Sequence, residues 1–289
     1  MGEPSTQSFA TRFTQRAETP PRAKLTAGSS YRLSDLKTQR KTLIEELGPT
    51  IPEVPIPYFL TNILPGLREG LDVDEIATKF KASGHITDDG RWSCFPCDPA
   101  QVKKREEQCF QPLEQLAEAI STASGGGKHA TPTLHAKPFH TTCLHAQGHE
   151  ESRWVYWANI AMSAEFKKKA RPADKEDNVA KIIWSMHQCM REDPRRRFTF
   201  GLTIENKEIR LWFCTRAQLL VSEGINFLQD HATVIHLFLA LMYAKDHEVG
   251  WDPTICYARD RNGEVLLHDG VPRLDITIHE DGEEPETLR

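Results

Sequence analysis

Ala164-Glu165-Phe166-Lys167-Lys168-Lys169, an amphipathic run from Asp174 to Met190, and then Arg195-Arg196-Arg197-Phe198-Thr199-Phe200-Gly201 together decide the fold. Trp154, Tyr156 and Trp157 lie just upstream of the first of these segments, so residues 153–167 read as one or two strands. Val179, Ile182, Ile183 and Met186 recur at three- and four-residue spacing, which predicts a helix over 174–190, stopped by Asp193-Pro194. Residues 198–204 and 209–213 alternate, and Glu205-Asn206-Lys207-Glu208 joins them as a hairpin. Strand, helix and hairpin in this order predict an α/β (α+β) chain with a mixed central sheet flanked by helices, and this stretch at the sheet centre.

Working outward, residues 226–243 read as the most apolar helix, and 254–257, 264–267 and 274–278 as strands, with a turn at Asn262-Gly263. Upstream, helices are expected over 36–47, 58–64, 73–80 and 103–120. The implied organisation is a disordered tail over 1–25, a helical N-terminal extension over 26–85, an α/β core over 86–278 and a loose acidic tail over 279–289.

Composition narrows the function classes. The 289 residues are 39% hydrophobic with a net charge of −5, so polyanion binding would need a local basic patch. The longest apolar run, 234–243, is too short to span a bilayer, and the N-terminus has no apolar leader segment. Seven scattered cysteines suit a reduced compartment. The expectation is a soluble intracellular protein, cytoplasmic or nuclear, with no membrane partner.

Three constellations bear on chemistry. Cys94 and Cys97 have metal-site spacing, with Cys109, His140 and Cys143 as the nearest further ligands, but no second C-x-x-C follows. The expected role is a turn whose cysteines pack as small apolar groups, with no metal. Histidines 129, 135, 140, 145 and 149 read as a polar surface loop. Glu165-x-Lys167 puts a carboxylate and an ammonium on one strand face, a pairing that serves metal-assisted phosphoryl chemistry, and Gln188 follows on the next helix.

This last arrangement resembles the PD-(D/E)XK nuclease-like core. That resemblance implies a second carboxylate on the preceding strand, after a proline. Pro138 is followed instead by Phe139, and Glu150 and Glu151 are the nearest substitutes. The core therefore resembles a degenerate nuclease-like fold, with Glu165, Lys167 and Gln188 as weak catalytic candidates. Separately, Lys168, Lys169, Arg171, Arg195, Arg196 and Arg197 are candidate phosphate-binding residues, since both groups flank one helix.

A broader resemblance rests on motif order: Trp92, Phe95 and Pro99; Phe110-Gln111-Pro112-Leu113; Trp154 before Glu165-Phe166-Lys167; Arg196 to Gly201; Asn226-Phe227-Leu228; and Gly250-Trp251-Asp252-Pro253-Thr254. Over roughly 35–270 the chain is similar to the N-terminal region of the fungal-type protein kinase family, which precedes a Ser/Thr-type kinase domain. No Gly-rich strand-turn, strand lysine, H-R-D loop or D-F-G is found in these residues, and His268-Asp269-Gly270 is the nearest string. The resemblance implies a non-catalytic accessory or regulatory module without a cofactor of its own. ATP and Mg²⁺ would enter only with a kinase domain. The implied partner is a protein or a kinase domain in cis, with a metal-dependent nuclease or a phosphate- or nucleic-acid-binding module as alternatives.

Overall fold

The computed structural model describes residues 35–47, 51–125, 140–142, 154–269, 271–278 and 286–288. The first helix is α1 (Leu36–Glu46), whose N-cap Asp35 accepts hydrogen bonds from the amides of Lys37 and Thr38. Strand β1 (Glu53–Val54) and helices α2 (Ile56–Asn62) and α3 (Val73–Ala82) follow, the last capped by Asp72. The helix expected over 103–120 is two: α4 (Glu106–Phe110) and α5 (Pro112–Ala123). Pro112 has no amide hydrogen to continue a ladder but suits the first turn of a new helix, and the chain restarts there.

Strands β2 (His140–Thr142) and β3 (Trp154–Tyr156) pair in parallel as a separate ladder. Next come β4 (Met162–Lys167), the 21-residue α6 (Pro172–Glu192), β5 (Phe198–Glu205) and β6 (Glu208–Thr215). Asn206 adopts the left-handed conformation at the hairpin tip, which asparagine tolerates better than most residues. Strands β7 (Leu219–Ser222) and β8 (Ile225–Asn226) and helix α7 (His231–Met242) complete this part. The expected helix over 226–243 starts late because Asn226 pairs with Glu208 as strand, while its side chain accepts the amide of Leu228.

The main sheet runs β1-β7-β6-β5-β4, with β8 beside β6. β4 and β5 are parallel, crossed over by α6, whereas β5, β6 and β7 are antiparallel, so the sheet is mixed. β4 is its last strand among the described residues, at the edge rather than at the expected centre. The C-terminal part forms β9 (Ile255–Tyr257), β10 (Leu267–His268), β11 (Val271–Pro272), β12 (Leu274–Ile278) and β13 (Glu286–Leu288). β12 is paired on both sides, with β9 and β13. Residues 286–288, expected to be loose within the acidic tail, are thus a strand. The tail over 1–25 lies outside the described residues.

Two hydrophobic clusters form the interior among the described residues. Phe200, Leu202 and Ile204 project from one face of β5 into the larger one, with Val234, Ile235 and Leu239 of α7, Ile76 and Phe80 of α3, and Phe110 and Ile120. Phe59 of α2 belongs to the same cluster, so much of the expected 26–85 extension shares the core. On the opposite face Ile182, Ile183 and Met186 of α6 meet Trp212, Leu219 and Val221, and Leu43 of α1 joins them. Gly201 makes room for α6: a Cβ there would sit 2.8 Å from the Met186 sulfur.

Candidate functional site

Alternation along β4 sends Met162, Ala164 and Phe166 toward the larger core, whereas Ser163, Glu165 and Lys167 face α6. The Lys167 ammonium meets Asp177 at 2.8 Å, and Lys181 meets the same carboxylate oxygen at 2.8 Å. Burial alone would raise the proton affinity of Asp177, but these two lysines outweigh it and hold the carboxyl below its ordinary range. Lys167 is correspondingly held above its ordinary value: burial works against the charge, but Asp177 outweighs it. Glu165 is different. Burial raises its pKa, and Lys181 and Arg40 only partly counter this.

The polar layer continues across the sheet. Asn178, fully buried on α6, donates its amide to Glu205 at 2.6 Å and to the Glu165 and Ile204 carbonyls at 3.3 Å. Glu205 is also raised by burial, against the pull of Asn178. Lys175 and Arg210 both reach Glu208, at 2.9 and 3.2 Å, and Arg210 reaches Glu53 of β1 at 2.5 Å. Alternating charges therefore stitch α6 to β5, β6 and β1.

Gln188 is not brought to this cluster. It is buried eleven residues beyond Asp177 on α6, about 16 Å along the axis at ~1.5 Å per residue. Among the described residues, no three His, Cys, Asp or Glu side chains are grouped to hold a metal ion. Glu150 and Glu151 lie outside the described residues.

The basic candidates divide into two sets. Arg171 pairs with Asp174 at 2.7 Å, the Lys168 ammonium donates to the Lys104 carbonyl at 2.6 Å, and Lys169 is exposed. These lie before the first turn of α6; Arg195, Arg196 and Arg197 lie beyond its last. Twenty-one helical residues put about 31 Å between the sets, so they do not form the single patch expected from their flanking positions.

The arginine triplet builds something else. Arg196 has 0% of its surface exposed. Its guanidinium stacks 3.4 Å over the Trp251 ring and donates to the carbonyls of Val249, at 2.9 Å, and Ile160. Burial lowers its pKa to about 10. Asp193, also fully buried, grips Arg195 through both oxygens, at 2.9 and 2.8 Å, and accepts from the Trp251 indole at 3.0 Å and the Tyr257 hydroxyl at 3.3 Å. Arg195 lies 4.1 Å over the Tyr257 ring. Arg197 donates to the His247 carbonyl at 3.2 Å.

Asp193, Trp251 and Tyr257 are the residues that sequence reasoning missed here. Asp193-Pro194 read only as a helix stop. Gly250-Trp251-Asp252 was the available signal, since Gly250 takes a φ of +114° and a Cβ there would meet the Phe198 carbonyl oxygen at 1.9 Å.

The cysteine turn packs inward. Cys94 lies against the larger core and burial pushes its thiol up to about 11, while Cys109 is buried in the same cluster. Cys143 lies outside the described residues, as do His129, His135, His145 and His149; His140 lies in β2. His268 and Asp269 sit exposed where β10 turns toward β11.

Compared with known families, residues 141–287 match the model of a family described as fungal protein kinase. The match spans just over half of the chain. The chain belongs to the fungal protein kinase family. No curated protein and no solved structure matches it. The fungal protein kinase match takes in β4, α6, the main hairpin, α7 and most of the C-terminal strands, and with them Asp193, Arg196 and Trp251. It starts later than the resemblance read over 35–270, leaving out α1 to α5. No described helix is long and apolar enough to cross a membrane.

Proposed function

We propose that these 289 residues act as a non-catalytic accessory module of a fungal protein kinase, one that binds a protein partner or the kinase catalytic domain in cis. The supporting observation is that the charged groups a phosphoryl-transfer site would use are already bonded within the fold. Lys167 is held by Asp177, which Lys181 also holds; Arg195 is held by Asp193, and Arg196 is sealed against Trp251. A transition-state stabiliser must face substrate with its donors available. ATP and Mg²⁺ then belong to a catalytic domain and not to this module.

The test is phosphotransfer from ATP and Mg²⁺ with the chain alone, then with a separately prepared catalytic domain of the same family. The expected result is no turnover by the chain alone, together with binding to the catalytic domain and a changed rate. Phosphotransfer by the chain alone would sink the reading. Mg²⁺-dependent nuclease activity lost on Glu165→Ala would replace it with the hydrolytic alternative.

A further inference from the structure

The corner between α6 and the β6–β7 ladder is filled by α1. Eleven residues long, α1 is shorter than the ~12–15 that an isolated helix needs for even marginal stability in water, so its order comes from this seat. Its sequence, Leu-Lys-Thr-Gln-Arg-Lys-Thr-Leu-Ile-Glu-Glu, is mostly polar, and Gln39 and Leu43 are the residues it buries. Leu43 enters the smaller core beside Ile182, Ile183, Leu219 and Val221. The Trp184 indole donates to the Gln39 side chain at 3.0 Å, and the Arg40 guanidinium lies 5.5 Å over the Trp184 ring. The Arg40 Nε is buried with no hydrogen-bond partner. By contrast α6 is also anchored to the sheet, through the close approach at Gly201 and the Asn178 hydrogen bonds to β4 and β5.

A short polar helix held by one leucine, one amide and one stacked cation is a helix-in-groove ligand joined to its own receptor. Tethering in cis supplies the high effective concentration that keeps so small a contact formed. We infer that the groove between α6 and the β6–β7 ladder is a helix-docking site, held in cis by α1. Its occupant is α1 itself, which is seated through Gln39, Arg40 and Leu43 and can leave the groove and return to it. The inference goes beyond the accessory-module reading and does not depend on it.

Amide hydrogen exchange on the full chain is the first test. Residues 36–46 are expected to exchange at least a hundredfold faster than 178–190 of α6, through local release of α1. Equal protection of the two segments would overturn the proposal. The second test adds a fluorescent peptide of residues 35–47 to the full chain and to its Leu43→Asp variant. The peptide is expected to bind the variant at least tenfold more tightly than the wild type, whose groove is already filled, and to lose binding when it carries Leu43→Asp itself. Absence of binding to a folded variant would overturn the proposal. So would a variant that no longer folds, because a displaceable helix can be lost without the body.

Discussion

Arg196 illustrates what a charged residue can do when water is removed from it. Its positive charge is kept by a ring face and two carbonyl dipoles rather than by a directly bonded carboxylate. Arg196→Met would keep most of the volume but leave both carbonyls unsatisfied, so a loss of about 3 kcal/mol is expected from urea midpoints. Glu165 and Asp177 offer a second test, because neighbouring carboxylates are driven in opposite directions. The Glu165 pKa is raised in the fold, so its stabilising contribution is complete below about 4.5 and is lost as pH rises through the folded value. Asp177 is depressed, so its contribution is present above about 3.8 and is lost as pH falls through the folded value. Urea midpoints across pH 3 to 7 should therefore show Glu165→Gln gaining on the wild type as pH rises, and Asp177→Asn closing its deficit as pH falls. Parallel profiles for the two variants would contradict these assignments.

For the elements, the close approach of α6 to the sheet is the controlling feature. Gly201→Val would push β-branched bulk against Met186 and Ile182, at an expected cost of about 2 kcal/mol. Met186→Ala in the same chain should restore part of it, a non-additivity that a double-mutant cycle reads directly. The periodic segments here were legible from sequence. Helix α6 and the β5–β6 hairpin carry unbroken apolar spacing and a defined turn. Strands β1 and β7 were not: Glu53–Val54 is two residues between Pro52 and Pro55, and its pairing with β7 depends on a partner more than 160 residues away. The division of the 103–120 helix was legible in principle at Pro112. As for the site, Glu165 and Lys167 were correctly placed on one strand face, but the partner of Lys167 is on the helix. A single strand pattern carries no information about which helical face returns over it.

At the scale of the whole molecule, the main sheet separates the two clusters of unequal size found among the described residues, and half-buried histidines lie on both sides. Burial lowers the pKa of His187 on α6, and of His231 and His236 on α7; Arg191 and Lys81 add to the effect at the first two. Each favours its neutral form more strongly in the fold and takes up a proton more readily when unfolded. Stability contributed by that neutrality is present above about 6.5 and declines as pH falls toward the folded values. A melting temperature that drops between pH 7 and pH 5, and drops less in a His236→Gln chain, is the expected outcome; an unchanged pH dependence in that variant would remove His236 from the account.

Asp193 also has a meaning in folding time. It is 58 residues from Trp251 and 64 from Tyr257 along the chain. Closing loops of that length costs entropy that is recovered only when many other contacts already hold the ends near one another. The β5–β6 hairpin, β7, β8 and α7 all lie between these residues, so loop-closure entropy favours late closure of the carboxylate, as a latch over finished structure. A chain misfolded between 193 and 257 would leave that latch open, with the Asp193 side chain, Arg195 and two aromatic rings exposed as the mark of unfinished folding.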